Sequence, residues 1–395
     1  MIRSSIFRLL LILAISTSAL VMHAQQATAI RDVDLKAPDG ANLKATFFAA
    51  EKPGPGVMLL HQCNSQRKIW DDLAKQLSAA GINVLTLDLR GFGESDGTPQ
   101  DKSTPQQAQA QAQKWPGDID VAFNYLTSQP GVKPDIIGVG GASCGVTNSL
   151  QVALRHPKQV KSLVLLSGPA DLAGRRFLRQ TSQLPVLAAI ADDDEFPPSN
   201  EATELIFSQS SNPGNRFLRY ANGGHGAEIF RVHPELRTAI VDWYVTTLIK
   251  TPGHAPAAER WQAPPVVQML ALIDQPGGAA QAQQKLVEAR KHDPKAVLFP
   301  ETMVNIMGYE HLQAGDTQGA VDILKLNATA FPDSPNVYDS LSDAYLAAGQ
   351  KDLARENAKK AIELLASDTA DPEARRNAIR DSAEQKLKQL GPAPN

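Results

Sequence analysis

Apolar residues recur along this chain with two different periods, and the change from one to the other divides it. Ile30 to Lys36 and Asn42 to Phe48 alternate apolar and polar positions in the manner of half-buried strands, joined by the Pro38-Asp39-Gly40 turn. Gly56 to Leu60, Ile82 to Leu87, Ile136 to Val139, Val160 to Leu166 and Val186 to Ile190 are short, mostly continuous apolar runs, as expected of strands buried on both faces. Helical spacing lies between them. Trp70, Leu73, Ala74, Leu77 and Ala80 form one stripe stopped by Gly81, and Val146, Leu150 and Leu154 form another. Further helices are predicted over Trp115 to Leu126 and about Ser199 to Gln209, and strand Arg216 to Tyr220 and a helix from Pro234 to Ile249 close the series. Strands alternating with helices predict an α/β fold, a mostly parallel sheet flanked by helices. Pro105 to Gln113, rich in Gln and Ala, carries no apolar stripe and reads as an exposed loop, and Ser167 to Gln183 as a connection.

After Lys250 the strand pattern stops. Thr251-Pro252-Gly253 and the Pro/Ala-rich stretch to Pro265 read as a linker, with a helix over Gly278 to Lys291. An internal repeat follows: Leu312, Gly315 and Ala320 return as Leu346, Gly349 and Ala354, each 34 residues on. The first copy pairs helices near Thr302 to Gln313 and Thr317 to Ala330; the second pairs Asn336 to Ala347 and Lys351 to Ala366; Glu373 to Leu390 caps them. The expected organisation is therefore an α/β domain over 25–250, a linker and helix over 251–300, and an all-α repeat domain with its capping helix over 301–390.

Residues 1–24 have another character. Arg3 and Arg8 precede a short apolar stretch, Leu9 to Ile15, and small residues lead to a cleavage position near Ala24, the make-up of an export signal. Ser16, Thr17 and Ser18 make it poor as a membrane span, so the expected product is periplasmic or secreted and does not cross the bilayer. Export implies an oxidising destination, which gives the two cysteines, Cys63 and Cys144, added interest. A formal net charge of −3 argues against nucleic acid or an anionic membrane as partner.

The candidate chemistry centres on Gly141-Ala142-Ser143-Cys144-Gly145, between an apolar run and a helical stripe. A serine on such a strand-to-helix turn is held out at the carboxyl edge of the sheet, beside helix N–H groups that favour negative charge. Gly93-Glu94-Ser95-Asp96-Gly97 has the same spacing, but polar residues and Pro99 follow it, so it reads as a loop. A serine hydroxyl needs a base, and the base an orienting carboxylate. His225, in Asn222-Gly223-Gly224-His225-Gly226, follows a strand and shares that edge; His233 and His61 are weaker candidates. For the carboxylate, Asp192-Asp193-Asp194-Glu195 follows the strand ending at Ile190: counting from the strand favours Asp194, counting back from Pro197-Pro198 favours Asp193, and Asp171 is more distant.

From Ile30 to Lys250 these residues resemble the α/β-hydrolases, through the Gly141 to Gly145 turn, Asp-Leu-Arg-Gly-Phe-Gly-Glu-Ser at 88–95, and the order Ser143, acid, His225. A more specific similarity is to small exported or dienelactone-hydrolase-like members. The resemblance implies a serine esterase with Ser143, Asp194 and His225 as triad, using no metal or organic cofactor on a small-molecule ester; peptidase or acyltransferase chemistry would use the same residues, and a non-catalytic interaction scaffold is the contrasting reading. It also implies an oxyanion hole from the backbone N–H of Cys144 and of a residue in the Gln62-Cys63 pair, where many relatives have His-Gly in place of His61-Gln62. Two cysteines lending backbone to one hole would lie close enough for a disulfide, the alternative being two free thiols. Ser167 to Gln183 is too short for the large helical cap of some relatives, so an open site is expected. The 34-residue units, with Leu341, Tyr345, Gly349 and Ala354 in register, resemble tetratricopeptide repeats, which implies a protein or peptide partner or packing on the hydrolase.

Overall fold

In the computed structural model, which describes residues 30–391, the apolar runs are strands and the 3.6-residue stripes are helices. The strands are β1 (Ile30–Lys36), β2 (Asn42–Phe48), β3 (Gly54–Leu60), β4 (Asn83–Leu87), β5 (Val132–Ala142), β6 (Val160–Leu166), β7 (Val186–Ala191) and β8 (Arg216–Tyr220). They form one sheet in the order β1-β2-β4-β3-β5-β6-β7-β8. β2 is antiparallel to both its neighbours and every other pair is parallel. The helices of this half are α1 (Asp71–Ala79), α2 (Pro105–Ala112), α3 (Trp115–Ser128), α4 (Cys144–Arg155), α5 (Leu172–Gln180), α6 (Ser199–Ser208), α7 (Ile229–Val232) and α8 (Glu235–Tyr244), the last continued by one π-helical segment, Val245–Lys250.

Both faces of the sheet are covered, which is why β3, β4 and β7 are buried throughout while β1, at the edge, has only alternate positions buried. On one face Phe123, Leu126 and Leu150 of α3 and α4 pack on the strands; on the other, Leu73 and Leu77 of α1 meet Ile240 and Trp243 of α8. Burying each such side chain contributes about 1.5–3 kcal/mol.

The expected loop at Pro105 to Gln113 is instead helix α2. None of its residues is buried, so there is no apolar stripe to reveal it; it forms through Thr104 and Gln107, a reciprocal capping box, with Pro105 at the first helical position. The segment read as linker and helix contains two helices, α9 (Pro265–Ile273) and α10 (Gly278–His292), and Trp261 before them packs against Phe207 and Phe217 of the sheet half.

The remainder is helical: α11 (Glu301–Gln313), α12 (Thr317–Ala330), α13 (Pro335–Ala347), α14 (Lys351–Leu365) and α15 (Glu373–Leu390). α11 and α12 recur 34 residues later as α13 and α14, with Gly315 and Gly349 in the left-handed conformation at equivalent places (φ 77° and 72°). Leu205 of α6 shares an apolar cluster with Leu270, Met303 and Met307, so the two halves have a common core. Beside it lies a buried charge cluster. Arg175 of α5 reaches Asp274 at 2.9 and 3.1 Å and also Glu310, Arg179 reaches Asp274 at 2.8 Å, and the more exposed Arg176 reaches Asp316 at 2.9 Å. Among the described residues no helix is long and apolar enough to cross a membrane. The export-signal segment 1–24 lies outside them.

Candidate active site

β5 passes directly into α4, and Ser143 stands at the junction with φ 52° and ψ −123°, a conformation uncommon for a residue with a side chain. The flanking glycines make it attainable. A Cβ on Gly141 would stand 2.1 Å from the carbonyl oxygen of Gly145, and one on Gly145 would stand 2.3 Å from that of Leu60 at the end of β3. The turn is pinned by the Ser143 N–H, which donates to Leu166 O on β6 at 2.9 Å. Ser143 is thus held at the carboxyl edge, next to the N-terminus of α4, whose partial positive charge favours an anion there.

The loop leaving β3 crosses the same place. Cys63 and Cys144 are joined by a disulfide with their Cα atoms 5.8 Å apart. His61, fully buried, accepts the Leu89 N–H at Nε2 (3.0 Å) and contacts Gln62 O through Nδ1 (2.8 Å), so its proton resides on Nδ1 and both nitrogens are engaged. Burial also holds its pKa below the ordinary value. His61 shapes the loop and is not available as a base.

His225 follows β8. Its Nδ1 lies 2.8 and 3.0 Å from the two carboxylate oxygens of Asp194, at the end of β7, and both side chains are almost completely buried. The Phe196 ring lies against the imidazole, centroids 4.7 Å apart, and the Phe196 N–H donates to Asp194 Oδ1. Asp193 turns the other way: its Oδ1 accepts the Gly224 N–H at 2.8 Å, and that bond lowers the pKa of its exposed carboxyl. The two adjacent acids therefore do different work, one orienting the ring and the other the loop that carries it. His233 is bonded to Glu235 and Asn222, and Asp171 caps α5 through the Gly174 N–H.

Gln62 supplies a connection that its position in the sequence did not reveal. Its buried side chain accepts the Ala227 N–H at 2.8 Å and donates to Asn64 Oδ1 at 2.8 Å, tying the loop after β3 to the loop of His225. A Cβ on Gly226 would lie only 3.2 Å from the Cβ of Ala142, so the residue after His225 abuts the residue before Ser143. Ser95, in the second Gly-x-Ser-x-Gly, donates to Asp88 O at 2.7 Å and accepts the Lys44 N–H at 2.8 Å, a closed structural arrangement.

A sheet with only its second strand reversed, a serine on the β5–α4 turn, and a carboxylate and histidine from the ends of β7 and β8 decide the architecture. The fold is that of the α/β-hydrolases. Residues 51–184 match the family model described as serine aminopeptidase, S33. Among curated proteins the chain is similar to the thiohydrolase aneE of Aspergillus aculeatus, 30% identical over 136 residues that make up 34% of this chain and 40% of that one. It is similar also to the polyketide transferase claH of Penicillium crustosum, 33% identical over 126 residues, 31% and 39% of the two chains. The match spans about two-fifths of these relatives' length. Among solved structures, a dienelactone hydrolase from Anabaena variabilis is 19% identical, covering 56% of this chain and 98% of its own, with a TM-score of 0.46. In α/β-hydrolase terms, β1 to α8 are the hydrolase unit and α9 to α15 an all-helical addition.

Proposed function

We propose that this α/β-hydrolase is a serine hydrolase of carboxylic esters working through Ser143, His225 and Asp194. The reading rests above all on the His225–Asp194 pair standing beside the Ser143 turn, with Gly226 against Ala142. In the proposed reaction His225 Nε2 takes the Ser143 proton as Oγ adds to the ester carbonyl, Asp194 stabilises the imidazolium through Nδ1–H, and the N–H groups of Cys144 and Cys63 receive the oxyanion. Collapse breaks the bond to the alkoxy oxygen, which leaves as the alcohol with the proton from His225. Water then adds to the acyl carbonyl as His225 removes its proton; the bond to Oγ breaks, Oγ takes that proton back from His225, and the acyl group departs as the acid. Gln62 is assigned a positioning role through its side chain rather than a place in the hole.

A second reading, transfer of the acyl group to an acceptor other than water, uses the same residues and is favoured by relatives named polyketide transferase and acyltransferase. The proposed setting is periplasmic or secreted, a reading supported by the disulfide. The paired helices α11 to α14 are read as tetratricopeptide-like. Turnover of p-nitrophenyl acetate by the wild type and by Ser143→Ala tests the hydrolase reading: the substitution should abolish turnover above background, whereas equal rates in both proteins would contradict it.

A further inference from the structure

The hydrolase unit has no helical cap of its own, but its candidate site is not open on every side. A cleft of about 310 Å³ lies between the hydrolase unit and the helical addition, lined by Ala170, Phe196 and Leu205 on one side and by Met303 and Ile306 of α11 on the other. Ser143 and His225 are not among its lining residues, but residues packed against or next to theirs are. Phe196 packs on the His225 ring, and Pro169, also in its wall, follows Gly168, whose Cβ, if it had one, would stand 2.3 Å from the carbonyl oxygen of Ser143. Phe196 is also 47% exposed, a large apolar surface beside a buried imidazole with nothing covering it. The charges at the cleft's edge are already engaged: Arg175 is bonded to Asp274, Glu310 and the carbonyl of Ala170, so it offers no vacant anion site.

We infer that this cleft is the acyl subsite of the proposed esterase, that it takes a neutral acyl chain of medium length, and that α11 supplies its outer wall. The inference rests on the hydrolase reading and adds substrate class to it. The volume lies at the lower end of the about 300–1,000 Å³ usual for small-molecule sites, which suits a medium chain better than a long one. The helical addition thereby does what an inserted cap does elsewhere, from a different part of the chain.

The test compares p-nitrophenyl acetate with p-nitrophenyl hexanoate in the full-length protein. Each methylene taken out of water gives about a fourfold gain, so the four added from acetate to hexanoate should raise kcat/KM by about 250-fold. Ile306 is only half-buried and can accept a larger ring; Ile306→Trp should lower the hexanoate-to-acetate ratio by about tenfold, and Ile306→Ala should move the preferred chain to a longer one. A wild type with no preference for hexanoate, or a ratio unmoved by both variants in an enzyme that turns over ester and takes a fluorophosphonate label, would overturn the cleft assignment alone. A wild type that neither turns over ester nor takes the label would overturn the hydrolase reading and the acyl subsite with it.

Discussion

Asp193 and Asp194 differ by one position and by everything that matters at the site. Asp194 faces His225 Nδ1, and Asp193 holds the Gly224 N–H. Asp194→Asn should lower kcat on p-nitrophenyl acetate by about 10⁴-fold, because an amide in that place favours the wrong imidazole tautomer. Asp193→Asn removes part of one loop hydrogen bond, worth about 1 kcal/mol, and should lower it no more than about tenfold. Equal losses in steady-state kinetics would remove the distinction. Ser143 and His225 could be singled out from the sequence because strand, glycine and helix signals surround both. The choice between adjacent aspartates could not, since it depends on how the turn after β7 directs successive side chains. Nor could the role of Gln62, whose partner Ala227 lies 165 residues away.

Among elements, the strands and most of the amphipathic helices were legible because burial imposes a period on them; α5 was not, since Ser167 to Gln183 reads as a connection although the helix within it buries Leu172, Phe177 and Leu178. α2 escaped because it is exposed on every side and is made by capping and propensity, which leave no stripe. The loop after β3 and the start of α4 are two elements that the disulfide makes into one. It closes a separation of 81 residues, for which chain entropy alone gives about 4–5 kcal/mol, and observed contributions are typically about 2–4. Reduction, or Cys63→Ser, should therefore lower stability by about 2–4 kcal/mol in chemical denaturation and slow ester turnover, since the backbone at Cys63 and Cys144 is proposed to hold the oxyanion. Intact mass should rise by about 2 Da on reduction. An unchanged mass, or a reduced protein equally stable and active, would contradict this.

At the scale of the whole chain, the join between sheet and helical addition turns on Asp274. Burial alone would raise its pKa, but His311, Arg175 and Arg179 overcome that and hold the carboxyl well below its ordinary 3.8. A depressed carboxyl stabilises the fold fully above 3.8, and that contribution is lost as the pH falls through its folded value. Glu310, raised by burial despite Arg175, runs the other way, its contribution whole below its ordinary 4.5 and lost as the pH climbs through its folded value. Asp274→Asn should cost about 3–5 kcal/mol at pH 7, leaving two arginines without their shared counter-charge, and the gap in Tm from wild type should narrow below pH 3.8. A gap independent of pH would contradict the assignment. None of this join was legible in the sequence, because Arg175 and Asp274 carry no local pattern and meet only through the packing of segments 99 positions apart. Activation of Ser143 by His225 is read out by peptide mapping after fluorophosphonate treatment of wild type and His225→Ala: the label is expected on Ser143 in the wild type and should be lost in the variant. A label on another residue, or equal labelling of Ser143 in both proteins, would contradict it.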